Sequence, residues 1–373
     1  MTTAFVSLYL SYPPLCGAAV VSYQIARHLS GEKYLVQLGE KGGRERREDG
    51  LTIVTIGRGK ETRWRKMAGM VAHVFQIARE INKIKPRTVV LEGASWTFYY
   101  LLVVAFLRRV GSKARLVYHA HNVEYDLRRQ KNAAVIALLT RWAERRLVRR
   151  ADAVYSVSEV DAGRMEILYG RRPRLLANGV DTEAYDQVIP AQVLAVRKKY
   201  GLPDSSVLFM GLPAYKPNAD ALDFLLKEVF PRLVSMRPKA RLVVIGGEVA
   251  QKRPWLLNPG LIDFEEVPAF VRGCAAGVAP IFSGSGTRLK ILEYMAAGIP
   301  VLATQKGAEG LDARDGEDIL LRDDTAGFTE TLARLLSDPP FAAKIGEGGR
   351  KLVARAYAWP VVIRAFQEDL DGI

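Results

Sequence analysis

The chain reads as an α/β protein built from two Rossmann-like, doubly wound parallel-sheet domains. Three observations predict this. Residues 4–17 run as strand, glycine-ended loop and helix start, the opening of a nucleotide-fold half. Residues 277–303 repeat the scheme as strand, glycine turn, helix and strand, one βαβ unit. The length of 373 residues accommodates two domains of ordinary size.

In order, residues 4–10 form the first strand. The loop Ser11–Gly17 leads to a helix with Ala18, Val21, Ile25 and Leu29 on one face. Tyr34–Leu38 and Leu51–Ile56 are strands around a charged, hairpin-like loop, Glu40–Gly50. Residues 58–66 place five basic side chains around Trp64. They lead into a helix with Met70, Val74, Ile77, Ala78 and Ile81 on one face. Thr88–Leu91 is a strand, residues 96–107 an apolar helix and Ala114–His119 a strand that ends in His119-Ala120-His121-Asn122-Val123-Glu124. Residues 131–150 are an amphipathic helix closing on Arg141, Arg145, Arg146, Arg149 and Arg150. Asp152–Glu159 is the next strand, and Leu175–Asp181 contains the turn pair Asn178-Gly179. Residues 182–204, with Pro190 and Pro203, read as linker plus a short helix. Val207–Met210 opens the second half. A loop follows, and Asn218 is placed to cap a helix carrying Leu222, Leu225, Leu226, Val229 and Leu233. Leu242–Ile245 is a strand and Phe264–Phe270 a loop. After the βαβ unit come closing helices and a final helix with Trp359 and Phe366.

Composition narrows the class. Hydrophobic content of 49% and charged content of 25% are globular values. Cys16 and Cys274 are far apart, which argues against a disulfide framework and suits a reducing cytosol. The longest apolar run, residues 96–107, is too short to span a bilayer, and no signal peptide is visible. Net charge is +14, but residues 1–175 hold 31 Lys and Arg against 15 Asp and Glu, or +16, leaving −2 for the rest. That field attracts acidic lipid, a phosphorylated acceptor or nucleic acid; the alternative is a basic surface that serves solubility.

Residues 277–310 carry the densest chemical signal. The apolar run Gly277–Phe282 is followed by the turn Ser283, Gly284, Ser285, Gly286. A helical pattern then sets Leu289, Leu292 and Ala296 on one face and stops at Gly298-Ile299-Pro300, with Ile299–Ala303 as the next strand. Glycines let backbone N–H groups approach a phosphate, and a helix N-terminus favours negative charge. Arg288 and Lys290 oppose the helix dipole unless an anion sits there. Glu293 lies three residues past Lys290 on the same side. A helix from Gly286 to Glu293 rises about 10 Å, the reach from a diphosphate to its own ribose. On spacing alone, an Arg/Lys/Glu solvated face on an ordinary helix remains open.

This stretch resembles the donor-site signature of retaining glycosyltransferases of the GT-B fold, the group 1 / family 4 type. The hallmark there is two glutamates separated by seven residues. Glu293 matches the second, the following EYMAAGIPVLAT matches the family's continuation, and Ser285 stands where the first glutamate would be. Residues 284–290 resemble the GxGxRxK-type sequence of some branches. His121-Asn122-Val123-Glu124, the VSE ending at Glu159, Asn178-Gly179-Val180-Asp181 and Gly307–Leu311 resemble further family motifs in the expected order. Many relatives carry a GR…K pair after the first strand of the second domain. Here Leu212 follows Gly211, and Lys216 is a partial substitute.

The resemblance implies a GT-B architecture facing a cleft. Residues 1–181 would form the acceptor-side domain, 182–204 a linker, 205–356 the nucleotide-sugar domain and 357–373 a helix crossing back. It implies transfer of a sugar, with retention, from a nucleotide-diphosphate donor to a glycan or lipid-linked acceptor in surface polysaccharide or glycoconjugate synthesis. Arg288, Lys290 and the turn Ser283, Gly284, Ser285, Gly286, Thr287 would hold the diphosphate and Glu293 the ribose. Gly17, Gly211, Lys216, Asn218 and Val267 are further donor-side positions. His121 would orient sugar or acceptor, with Asn122 and Glu124 on the acceptor side. No cofactor and no metal is expected: the one DxD, Asp369-Leu370-Asp371, is at the tail, and His119 and His121 have no cysteine or third histidine nearby in sequence. The expected location is cytoplasmic, peripheral on the inner membrane face through the basic first half. Three rivals stay open: a GT-B epimerase, a catalytically weak nucleotide-sugar-binding partner subunit, and a nucleic-acid-binding protein. The last has no aromatic-rich or recognition-helix motif to accompany its charge.

Overall fold

The computed structural model describes residues 1–14, 16–58, 63–93, 97–130, 134–284 and 287–372, with backbone alone for 63–68 and 130. The chain divides into two compact units, residues 1–178 with 362–373, and residues 179–361.

Unit 1 runs β1 (Thr2–Ser7), α1 (Gly17–His28), β2 (Glu32–Gly39), β3 (Gly43–Arg46), β4 (Leu51–Gly57), α2 (Arg63–Ile84), β5 (Thr88–Gly93), α3 (Thr97–Arg109), β6 (Arg115–Ala120), α4 (Glu124–Gln130), α5 (Ala134–Arg150), β7 (Ala153–Ser156), α6 (Glu159–Tyr169) and β8 (Arg174–Leu175). The eight strands lie in the order β3-β4-β2-β1-β5-β6-β7-β8. All pairs are parallel except β3–β4. Central strands covered on both faces favour apolar runs, and Ala4–Val6 of β1 and Val89–Leu91 of β5 supply them. Edge strand β3, GRER, is wholly exposed, and its charges discourage further strand pairing. On α2, Met70, Val74, Ile77, Ala78 and Ile81 recur at helical spacing and are all buried. Each of the larger ones contributes roughly 1.5–3 kcal/mol by leaving water. Helix α6 starts at a Ser158 cap that accepts from the Asp161 amide at 3.1 Å and stops at Gly170, whose φ is +75°.

Unit 2 runs α7 (Thr182–Asp186), α8 (Pro190–Tyr200), β9 (Ser206–Met210) and α9 (Lys216–Phe224). One π turn (Leu225–Val229) continues into α10 (Phe230–Met236). Then come β10 (Arg241–Ile245), β11 (Leu256–Gly260), a 3-10 turn (Phe264–Glu266), α11 (Val267–Arg272), β12 (Ala276–Ala279), α12 (Leu289–Ala296), β13 (Val301–Ala303), β14 (Leu320–Leu321), α13 (Thr325–Leu335) and α14 (Pro339–Ala356). Its six strands are parallel, in the order β11-β10-β9-β12-β13-β14. The last helix, α15 (Trp359–Gly372), begins in unit 2, where Trp359 lies against Gly179. From Val362 it counts with unit 1. There Phe366 meets Tyr155 edge-on at 5.0 Å, and Asp369 accepts from the Tyr155 hydroxyl at 2.5 Å and pairs with Arg174.

Several expectations change. Residues 182–204 are not a linker: they fold as α7 and α8 of unit 2 because Tyr185, Val196 and Leu202 are buried. The first segment of unit 1 ends at Asn178 rather than 181, since the Val180 amide already donates to the Tyr357 carbonyl at 2.8 Å. Residues 264–270 are a helical turn entering α11, not a loop. Helix α9 starts at Lys216, which places Asn218 inside its first turn rather than at its cap. Helix α12 starts at Leu289, so the helical path to Glu293 is about 6 Å rather than 10 Å. Among the described residues, no helix is long and apolar enough to cross a membrane.

Candidate active site

Open α/β sheets bind ligands beyond the carboxyl ends of their strands, where the strand order reverses. In unit 2 the reversal lies between β9 and β12. Most of the donor-side residues predicted from sequence collect there.

Helix α12 is fixed to this edge by Tyr294. Its hydroxyl accepts from the Met210 amide at 2.8 Å, at the end of β9. Its ring covers Gly277 in β12, where a Cβ would come within 2.3 Å of it. One turn earlier, the Lys290 ammonium donates to Asn218 Oδ1 at 3.0 Å and stands 4.1 Å from the Phe209 ring centroid. Asn218 Nδ2 donates to the Leu212 carbonyl at 3.1 Å. Gly211 closes the group at φ +148°. A Cβ there would lie 2.7 Å from Asn218 Nδ2 and 2.9 Å from Lys290 Nζ. Only glycine fits both the dihedral and the space.

Arg288 is the N-cap of α12, and its Nη2 donates to the Ser283 carbonyl at 3.2 Å. Gly284, at φ +97°, packs close to that guanidinium and to Pro217 and Tyr215. Thr287 is buried beside it. Burial pushes Lys290 down to about 7, Arg288 adds to this, and Glu293 opposes it. Burial pushes Glu293 up to about 7 against the pull of Lys290. The ensemble is a partly desolvated pair of cations beside a glycine turn, with a carboxylate one helical turn further on. An incoming polyanion would favour the charged form of Lys290.

Other predicted positions lie elsewhere. The Lys216 side chain is 82% exposed and pairs with Asp220 at 2.9 Å, so it does not join Lys290. Val267 is the half-buried first residue of α11. Ser285 and Gly286 lie outside the described residues, as do Lys60 and the side chains of Arg63, Trp64, Arg65 and Lys66 in the predicted basic patch.

In unit 1 the order reverses between β1 and β5. Gly17 is the exposed first residue of α1. His119 and His121 stand at the end of β6, where they meet Glu92 from β5. Glu92 Oε2 faces His121 Nε2 at 2.7 Å, His119 Nδ1 at 3.2 Å and Ser22 Oγ at 3.0 Å. All four residues are buried. Burial would raise the Glu92 carboxyl, but the two histidines more than offset that and hold it well below the usual range. An ionised carboxylate only accepts, so both facing ring nitrogens carry protons. Burial pushes the His121 ring below its ordinary value, its bond to Glu92 opposing this in part. The three ligand-type atoms lie within 4.8 Å of one another, a spacing that can also hold a cation. Sequence reading missed Glu92; its signal was a lone acid inside the apolar run VVLEG. Asn122 is half-buried, and Glu124 is buried at the start of α4, 3.8 Å from Arg128. The amides of Glu124 and Tyr125 donate to the buried Glu144 carboxylate of α5 at 3.3 Å each.

Residues 16–184 match the family model described as Glycosyltransferase Family 4, and residues 204–338 match that described as Glycosyl transferases group 1. A GDP-mannose-dependent monoacylated alpha-(1-6)-phosphatidylinositol monomannoside mannosyltransferase of Corynebacterium glutamicum is 24% identical over 60% of this chain and 63% of its own. A D-inositol 3-phosphate glycosyltransferase of Acidothermus cellulolyticus is 28% identical over 60% of this chain and 55% of its own. The chain therefore spans a little over half the length of these relatives. A GDP-mannose-dependent alpha-(1-6)-phosphatidylinositol monomannoside mannosyltransferase of Mycolicibacterium smegmatis is 28% identical over 71% of this chain and 72% of its own. Among solved structures, Anabaena HepE in complex with UDP and glucose superposes with a TM-score of 0.76 over 100% of both chains at 14% identity. Sucrose-phosphate synthase from Thermosynechococcus elongatus gives 0.79 over 100% of this chain and 99% of that one at 15% identity. Likeness at that identity concerns the fold.

Proposed function

The chain belongs to the GT-B glycosyltransferases of the group 1 and family 4 type, and we propose that it transfers a sugar, with retention, from a nucleotide-diphosphate donor to a glycan or lipid-linked acceptor. The observation that carries this reading is the group at the end of β9 and β12. Lys290, held by Asn218, sits with Arg288 and Glu293 around Gly211 and the glycine turn. In the proposed reaction Lys290 and Arg288 neutralise charge developing on the departing diphosphate, and Glu293 accepts from the ribose hydroxyls. His121, oriented by Glu92, positions sugar or acceptor in a water-poor setting. No side chain is assigned as a covalent nucleophile, and same-face substitution accounts for retention without one. No metal or cofactor is assigned a step.

The acceptor is proposed to be a glycan or lipid-linked molecule of a surface polysaccharide or glycoconjugate. The relatives named for phosphatidylinositol mannosides support a lipid-borne acceptor. The positive excess of residues 1–175 supports a meeting with it at an anionic, cytoplasmic membrane face.

A thermal-stability screen against GDP-mannose, UDP-glucose and their nucleoside diphosphates tests the donor site, because a ligand that binds only the folded protein raises its melting temperature. Stabilisation by one base class is expected, and no shift with any of them rejects the reading. NMR of the anomeric proton in the product then decides retention. A second reading, a nucleotide-sugar-binding subunit with weak turnover, is favoured by Ser285 and Leu212 standing where relatives carry a glutamate and an arginine. Donor binding with no transfer would select it. Nucleoside diphosphate release without transfer would select an epimerase.

A further inference from the structure

We propose that α5 is the membrane-docking element of this protein: its first two turns enter the interface of an anionic bilayer and its last two turns bind lipid phosphates. This rests on the membrane reading above and deepens it by naming one helix.

Globular helices turn polar side chains to water. The outer face of α5 does the opposite along half its length. Val135 is 72% exposed, Leu138 60%, Leu139 63% and Trp142 48%, and they follow one another at the three- and four-residue spacing of a single helix face. Ile136, beside them, is also exposed. The same stripe then continues as Arg145, Arg146 and Arg149, all exposed. The inner face is ordinary: Ala137, Ala143, Leu147 and Val148 are buried. The apolar exposure is therefore not a register error of a core helix.

Charge says what covers it. The only acid in α5, Glu144, is buried and turned toward α4. Among the described residues, none of Arg145, Arg146 and Arg149 has an acidic partner. Arg141, Arg145, Arg149 and Arg171 line a pocket of about 540 Å³ with Tyr169 and the backbone of Gly170. Arg141, Arg145 and Arg149 give this open hollow a cationic wall that fits a phosphate, which arginine binds through its planar fork, while the Arg171 guanidinium is taken up by the Val148, Ala151 and Asp152 carbonyls. The Arg146 guanidinium stacks 4.9 Å from the Trp142 ring centroid, joining the apolar and basic halves. An indole and arginines next to exposed leucines are the composition of a helix lying in a membrane interface. A protein partner would need its own acids to match this face, whereas an anionic leaflet supplies phosphates and apolar depth together.

The test is co-sedimentation of the full chain with vesicles of phosphatidylcholine alone and with 30% phosphatidylglycerol. Three proteins are compared: wild type, Leu138→Asp/Leu139→Asp and Arg145→Glu/Arg149→Glu. The changed positions are exposed, and melting temperature and donor-induced stabilisation are measured on each as controls. Wild type should bind the anionic vesicles, less so at high salt. Each double variant should lose at least tenfold in partition coefficient while its nucleotide response stays within twofold. Unchanged binding by the variants overturns the assignment to α5 and leaves the membrane reading standing. Absence of wild-type binding at low salt overturns both. A wild-type oligomer that the aspartates split, by light scattering, gives the face to a second copy and overturns the proposal. The donor-site reading stands or falls separately, on the nucleotide response of wild type.

Discussion

Glu92 and His121 form a 2.7 Å hydrogen bond between the ends of β5 and β6, inside unit 1, and the same carboxylate oxygen also faces His119 and Ser22. One ionised acceptor thus fixes the tautomer of both rings. Glu92→Gln replaces that charged acceptor with a neutral amide oxygen, a weaker partner for all three donors. Buried donors left unmade cost about 1–3 kcal/mol. We expect a lower melting temperature and turnover reduced at least tenfold, with nucleoside diphosphate affinity within twofold of wild type, since that site is in unit 2. Unchanged turnover would remove His121 orientation from the mechanism.

Lys290 gives a pH signature. At about 7 it is mostly neutral in the free protein at pH 8. A diphosphate restores its charge, so binding takes up protons above pH 7. Affinity should fall as pH rises from 7 to 9, approaching about tenfold per unit for one coupled proton. Calorimetry in two buffers of different ionisation enthalpy counts the protons. Lys290→Met should take up fewer protons than wild type and lose roughly 10²–10³ in turnover, about 2.7–4 kcal/mol. A loss below about threefold would place Lys290 outside the chemistry.

Glu293 has the opposite sense. Raised to about 7, it is ionised only above that pH. Glu293→Gln should weaken nucleotide-sugar binding more at pH 8 than at pH 6, because only the carboxylate form is the stronger acceptor for ribose hydroxyls. Equal effects at both pH values, with normal folding, would reject the ribose role.

Glu144 predicts a stability profile. Burial raises it to about 8, the Tyr169 hydroxyl opposing and Glu124 adding. Its folded value exceeds its unfolded one of about 4.5, so its contribution is complete below the unfolded value and is lost as pH rises toward 8. Glu144→Gln resembles the protonated form and has no such loss. The melting temperature of wild type should fall relative to Glu144→Gln between pH 5 and pH 8. A constant difference across that range would show that Glu144 does not titrate there.

The predicted elements rest on different kinds of signal. The apolar strands were legible because both faces of β1 and β5 are buried, which calls for apolar runs such as Ala4–Val6 and Val89–Leu91 at their centres. Lys290 and Arg288 stood out because basic residues at a helix start are locally unfavourable and call for an anion, and Glu293 because it lies three residues past Lys290 on the same helix side. Glu92 was not, since its partners sit 27 and 29 residues away and meet it only through strand pairing. Nor was the role of Asn218: its polarity marked it as a helix cap, but its partner Lys290 is 72 residues on. Residues 182–204 misled because Pro190 reads as a breaker yet serves as the first residue of α8, where its missing N–H is no loss.

Unit 1 is made from two stretches with all 183 residues of unit 2, 179–361, between them. Its eight strands leave the ribosome well before the segment that packs Phe366 on Tyr155 and buries Leu370. At translation speeds of about 5–20 residues per second, the intervening stretch alone takes roughly 10–40 s to synthesise. For that interval the nascent chain carries a nearly finished domain with an uncovered apolar patch around Tyr155. That patch is closed only once residues 362–372, which follow unit 2 in the chain, have been made.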